Sequence, residues 1–238
     1  FFVLLKEMID TPSLSGNEYE LQKKIIKHME PLCDKVITDH VGNVVSIINP
    51  DSKVKILLDA HIDEIGLVIS NIKEDGRCKM QSVGSIRPAL YLGMQVQVVT
   101  KNGIIDGVIA QYRPIQADKV ETAELELDLG TFSKEESEKL VSIGDYVLSK
   151  ASIVKLQNNN YAARAMDDKI GVYSILQALL IICNLPFNNY GFYKLSSLFW
   201  LWEFNSEILF CISFKELENT ESSVEIIFPN LFARPLNF

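Results

Sequence analysis

The sequence predicts an α/β protein interrupted by a β-rich block, and three observations carry that prediction. Residues 54–58, apolar but for Lys55, read as a buried strand, and His61, Asp63 and Glu64 fall where such a strand leaves the sheet. Residues 66–156 abandon helical periodicity for strand-like runs joined by turn signals, as in an antiparallel barrel or sandwich. After Asn158-Asn159-Asn160 a long apolar helix pattern resumes and runs to about Cys183, so the block reads as an insertion into the α/β part. The expected division is 1–66 with 157–238 for the α/β domain and 67–156 for the inserted one.

Each element follows from local chemistry. Residues 2–9 are helical in pattern, and Thr11-Pro12-Ser13-Leu14-Ser15-Gly16 breaks that helix with a proline and a glycine. Ser15 with Glu18 three residues later has the form of a capping box for the next helix. Leu21, Ile25, Met29 and Leu32 then recur at helical spacing and define one core-facing stripe. Residues 36–38 and 44–48 read as short strands around the Gly42-Asn43 turn. Within the β-rich block the runs 66–72, 94–100 and 104–110 are punctuated by Glu74-Asp75-Gly76 and Lys101-Asn102-Gly103. One short helix is expected at 134–140, where Ser133 and Glu136 form a second Ser-x-x-Glu box.

Composition narrows the function classes. A hydrophobic content of 47% with 23% charged residues describes an ordinary folded chain rather than a disordered one. The net charge of −8 argues against a nucleic-acid partner, which needs clustered Lys and Arg to neutralise phosphates. Cys33, Cys78, Cys183 and Cys211 form no Cys-x-x-Cys pair, so free thiols in a reducing cytoplasm are expected. Lys6 and Glu7 end the first apolar run before it reaches the length of a signal core. Because the chain does not start with methionine, it reads as a fragment or a trimmed form. Residues 192–214 are rich in aromatics, but Lys194, Glu203 and Glu207 interrupt them, so no membrane span is expected.

The chemistry concentrates at two places. His61 and Asp63 are two apart, and on extended backbone their side chains leave on one face. A metal-binding imidazole commonly donates its other N–H to a carboxylate, a role open to Asp63. The alternative is a histidine satisfied at a strand end beside a solvated carboxylate. Asp167-Asp168 opens the last helix, where the helix dipole favours negative charge, so these residues are either simple caps or part of a site. If that helix packs beside the strand ending near residue 60, His61 and Asp167 would converge as half of a two-metal centre. His28 falls on a helix surface and His40 in a loop, and both stay outside the candidate site.

Several segments together resemble a known family. They are Ser15-Gly16-Asn17-Glu18, Gly42-Asn43, Ala60-His61-Ile62-Asp63-Glu64-Ile65-Gly66, Leu125-Glu126-Leu127-Asp128-Leu129-Gly130, Ile143-Gly144-Asp145 and Ala163-Arg164-Ala165-Met166-Asp167-Asp168-Lys169-Ile170-Gly171. In this order they are similar to the tetrahedral, dodecamer-forming metallo-aminopeptidases, which include glutamyl and deblocking aminopeptidases. The resemblance covers about residues 4–183. It implies an α/β phosphorylase/hydrolase-like catalytic domain with an inserted β-barrel dimerisation domain. It also implies two divalent metal ions, zinc or cobalt, with His61 a terminal ligand, Asp167 a bridging ligand and Asp63 the group that orients His61.

The implied activity is removal of N-terminal residues from peptides by a water activated between two metals. The implied partners are a peptide with a free N-terminus and further copies of the chain, from dimer to dodecamer, with no nucleic acid and no membrane. The chain departs from the family after residue 183. A Glu-Glu pair, a further aspartate and a second histidine are expected there, yet no histidine follows His61 and the separated Glu203 and Glu207 do not match. Impaired catalysis is therefore expected, and the second reading is a non-catalytic assembly subunit acting through its β-domain. A glycoside hydrolase would require two carboxylates flanking a sugar, and the sequence offers no such pair.

Overall fold

The computed structural model describes residues 2–52, 54–110, 120–150, 153–184 and 209–214. The first helices follow the apolar spacing: α1 (Phe2–Asp10) and α2 (Tyr19–Met29), the latter burying Leu21, Ile25 and Met29. The anticipated capping box is absent. The Glu18 carboxylate accepts from the Gly16 N–H at 2.6 Å, and the Ser15 hydroxyl instead donates to Asp63. A charged acceptor makes the stronger bond, so the tertiary partner displaces the local one.

Strands β1 (Lys35–Thr38) and β2 (Val44–Ile48) pair antiparallel around the expected turn, in the register Thr38 opposite Val44. Among the described residues they join β3 (Val54–Asp59) through β12 (Leu209–Phe214), which runs parallel to β2 and antiparallel to β3. The strand order is β1-β2-β12-β3. Here the expectation of a fully buried β3 needs correction. Among the described residues β3 pairs on one side only, and Leu57 is 55% exposed. The reason is that α1, α2 and α4 (Met166–Asn184) cover one face: Val44, Ile48, Ile56 and Leu58 pack with Met8, Ile25, Val172 and Leu176, while Leu57 alternates to the other face. Truncating a fully buried leucine such as Leu21 in this core costs about 2–5 kcal/mol.

The β-rich block closes. Strands β4 (Gly66–Ile72), β5 (Cys78–Val83), β6 (Gln95–Thr100), β7 (Gly103–Ala110), β8 (Glu126–Asp128) and β9 (Tyr146–Ser149) form a barrel in the order β4-β5-β8-β7-β6-β9. Alternate residues fill it: Leu67 and Ile69 on β4, Val96 and Val98 on β6, each almost wholly buried. The block is thus a barrel rather than a sandwich. Helix α3 (Lys134–Leu140) starts where expected, with the Ser133 hydroxyl accepting from the Glu136 N–H at 3.3 Å. The short ribbon of β10 (Val154–Lys155) and β11 (Tyr161–Ala162) then leads to α4.

Together these are a mixed α/β layer and a six-stranded barrel, each with its own apolar cluster. No helix among the described residues is long and apolar enough to cross a membrane.

Candidate metal centre

Two chain segments build the centre. The first follows β3, where residues 60–65 leave the sheet and lie against the 13–15 segment through a parallel bridge between Leu14 and Glu64. The second is the turn into α4, where Ala165 takes a left-handed backbone (φ +55°) and Asp167 and Asp168 precede the regular helix.

In the first segment His61 and Asp63 meet. The His61 Nδ1 lies 2.8 Å from Asp63 Oδ1, and the other Asp63 oxygen accepts a hydrogen bond from the Ser15 hydroxyl. With the Asp63 carboxylate this close to Nδ1, a proton there is favoured, and the ring once neutral would keep its lone pair at Nε2. The hydrogen bond to Asp63 outweighs partial burial, and with Asp167 and Asp168 nearby the imidazole is pushed up to about 9. The same hydrogen bond, against burial and with the help of Ser15, holds Asp63 below its ordinary 3.8. Three carboxylates around one imidazole make a negative field that favours a cation.

The second segment brings Asp167 to that field. Its Oδ1 lies 3.3 Å from His61 Nε2, and its side chain is 85% exposed, whereas that of His61 is 17% exposed. Asp168 turns the other way, accepting from the Gly171 N–H at 3.0 Å and so capping α4. Burial, opposed by that backbone bond, raises its carboxyl above 3.8.

At 3.3 Å Nε2 and Oδ1 are within hydrogen-bond reach of each other, and both are atom types that would hold one divalent cation. Among the described residues no third His, Cys, Asp or Glu joins them. One imidazole and one carboxylate suit a divalent cation and would supply part of its coordination. His28, 3.2 Å from Glu7, and the exposed His40 are elsewhere. Glu203 and Glu207 lie outside the described residues.

Sequence reasoning left several participants without a role. Ser15 anchors Asp63, a function masked by its resemblance to a helix cap. Behind the donors lies a buried ionic group: Glu64 pairs with Arg164 Nε at 2.5 Å and with Lys169 Nζ at 3.3 Å. Burial, countered by Glu64, pulls the Lys169 amine down to about 8.

A carboxylate-backed imidazole thus faces a second carboxylate beside a strand end of an α/β layer that carries a barrel. The family is given by comparison with known proteins: residues 42–193 match the M42 glutamyl aminopeptidase family, and the chain belongs to it. Among curated relatives, a putative aminopeptidase of Acetivibrio thermocellus is 29% identical over 178 residues, covering 75% of this chain and 53% of that protein. The lysyl aminopeptidase of Pyrococcus furiosus is 26% identical over 187 residues, covering 74% and 53%. The chain therefore spans about half the length of the curated relatives it matches. Among solved structures, the TET1 peptidase of Pyrococcus horikoshii, described as assembling into a tetrahedron or a large octahedral shell, aligns with a TM-score of 0.63 at 28% identity. That alignment covers 89% of this chain and 59% of the other.

Proposed function

We propose that the chain is the His61 and Asp167 half of a metal-dependent aminopeptidase site, which releases N-terminal residues from peptides. One observation carries the reading: His61 Nε2 and Asp167 Oδ1, 3.3 Å apart, converge while Nδ1 is held by Asp63. His61 would be a terminal ligand, Asp167 a bridging one, and Asp63 the group that fixes the ring's orientation. Zinc or cobalt bound there supplies Lewis acidity at the scissile carbonyl and acidifies water for attack on it.

The protein's part in the reaction follows from the same geometry. Asp63 keeps the proton on Nδ1, so that Nε2 is the donor atom, and it strengthens the ring's basicity. The Asp167 carboxylate, 85% exposed, would be open to a cation held beside His61. The general base and the remaining ligands are assigned to no described residue.

We further propose two domains, 1–66 with 157–238 and 67–156, the second serving assembly into dimers and larger homo-oligomers. The assembly described for the Pyrococcus horikoshii peptidase supports this. The reduced Cys78 thiol is in keeping with a cytoplasmic location.

The test is metal analysis of the purified chain and a panel of aminoacyl p-nitroanilides with added zinc or cobalt. Bound metal with at most weak turnover, both lost in His61→Ala, is expected. Metal-free protein that neither takes up cobalt nor releases nitroaniline would remove the reading.

A further inference from the structure

Among the described residues buried charge is scarce, and it gathers in one place. Of the buried polar residues among those described, Thr11 (5% exposed), Ser13 (0%), Glu64 (4%) and Lys169 (0%) surround a single point, and the Arg164 side chain, 7% exposed, completes it. The bonding is dense. Glu64 Oε1 accepts from the Ser13 N–H at 3.0 Å, from the Ser13 hydroxyl at 3.4 Å and from Lys169 Nζ at 3.3 Å, and Oε2 pairs with Arg164 Nε. Arg164 Nη1 donates to the Ser149 carbonyl and Nη2 to the Ile9 carbonyl, each at 2.9 Å. Lys169 also donates to the Thr11 carbonyl at 3.1 Å.

These contacts have a definite address. Glu64 follows His61 by three residues and Asp63 by one; Arg164 precedes Asp167 by three and Lys169 follows it by two. The bonds therefore tie the two donor-bearing turns to each other, to the end of α1 and to the last barrel strand. Between Arg164 and Asp167 the backbone passes through Ala165 at φ +55°, a conformation an alanine holds only where its surroundings over-determine it. The two hydrogen bonds from Arg164 Nη1 and Nη2, with the ion pair of its Nε to Glu64, hold the residue before that turn. Buried ion groups seldom add stability over well-packed apolar residues; their best-attested use is to specify one arrangement.

We propose that Glu64, Arg164 and Lys169 form a positioning knot that holds the His61 turn against the Asp167 turn before a cation binds. The knot itself stands on geometry, and its consequence for metal affinity rests on the functional reading above. None of the three touches the candidate donors, so they act through the turns.

Two readouts on the full chain test this. The first is hydrogen exchange by mass spectrometry on metal-free protein. Lys169→Met is expected to speed exchange at least tenfold in segments 60–66 and 163–171 together, with the barrel strands unchanged. The second is cobalt binding followed by visible absorbance, expected to weaken at least tenfold in Lys169→Met and less than twofold in the barrel variant Glu126→Gln. Should Lys169→Met not fold, Glu64→Gln keeps the shape, removes the charge and carries both readouts.

Exchange unchanged in either segment, or a cobalt affinity within twofold of the parent in a folded knot variant, overturns the proposal. If the parent chain binds no cobalt, the metal reading falls, and the exchange experiment alone decides the knot.

Discussion

His61 Nε2 and Asp167 Oδ1 lie 3.3 Å apart although 106 residues separate them in sequence, and a whole barrel is folded from the chain between them. The excursion returns because Arg164 reaches the Ser149 carbonyl on the barrel's last strand and Glu64 after β3 within one side chain's span. The donor pair is therefore a product of how the barrel leaves and re-enters the α/β layer.

Replacing Asp63 by Asn removes the carboxylate that holds the Nδ1 proton of His61. Loss of such a supporting group weakens metal binding by about 10–100-fold. Cobalt titration of Asp63→Asn should show that loss at unchanged circular dichroism; an affinity equal to the parent's would take the orienting role away from Asp63.

Gly66 stands where the α/β layer becomes the barrel. A Cβ there would come within 2.7 Å of Leu148 Cδ2, 2.9 Å of Leu14 Cδ1 and 3.1 Å of the Val147 carbonyl oxygen. The backbone oxygen cannot yield as a side-chain tip can. Gly66→Ala should destabilise by about 1–3 kcal/mol, which calorimetry reads as a fall in Tm of about 2–4 °C per kcal/mol.

Glu126 on β8 accepts from Lys79 at 3.0 Å and Lys73 at 3.1 Å, and Arg77 also pairs with it. Burial would raise its carboxyl, but the two lysines outweigh that effect and hold it below 4.5. Because the folded value is depressed, its contribution is fully present above about pH 4.5 and is lost as the pH falls through the lower folded value. Urea unfolding should therefore show Glu126→Gln less stable than the parent by about 1–3 kcal/mol at pH 7. The gap should narrow steadily as the pH drops below 4.5, and a gap that stays constant with pH would show that the ion pairs are not its source.

Cys78 is fully buried in the barrel, and burial pushes its thiol up to about 11. Alkylation proceeds through the thiolate. Peptide mass spectrometry after iodoacetamide at pH 7.5 should find Cys78 unmodified in native protein and modified in urea. Labelling at equal rates in both would mean that the barrel opens readily.

Much of this protein was determined by the sequence alone, wherever the information is local. Helical spacing of Leu21, Ile25 and Met29, strand alternation at Leu67 and Ile69, the Ser133 cap and the two-residue spacing of His61 and Asp63 each follow from backbone periods of 3.6 or 2. Tertiary structure decided the rest. It placed β12 between β2 and β3, left Leu57 exposed, took the Ser15 hydroxyl from the helix start to Asp63, and joined Glu64, Arg164 and Lys169 into one buried group. The physical reason is that periodicity reports only where a side chain points along its own segment. Which distant segment meets it depends on chain closure, and a hydroxyl or charge takes the strongest partner that the closed fold delivers.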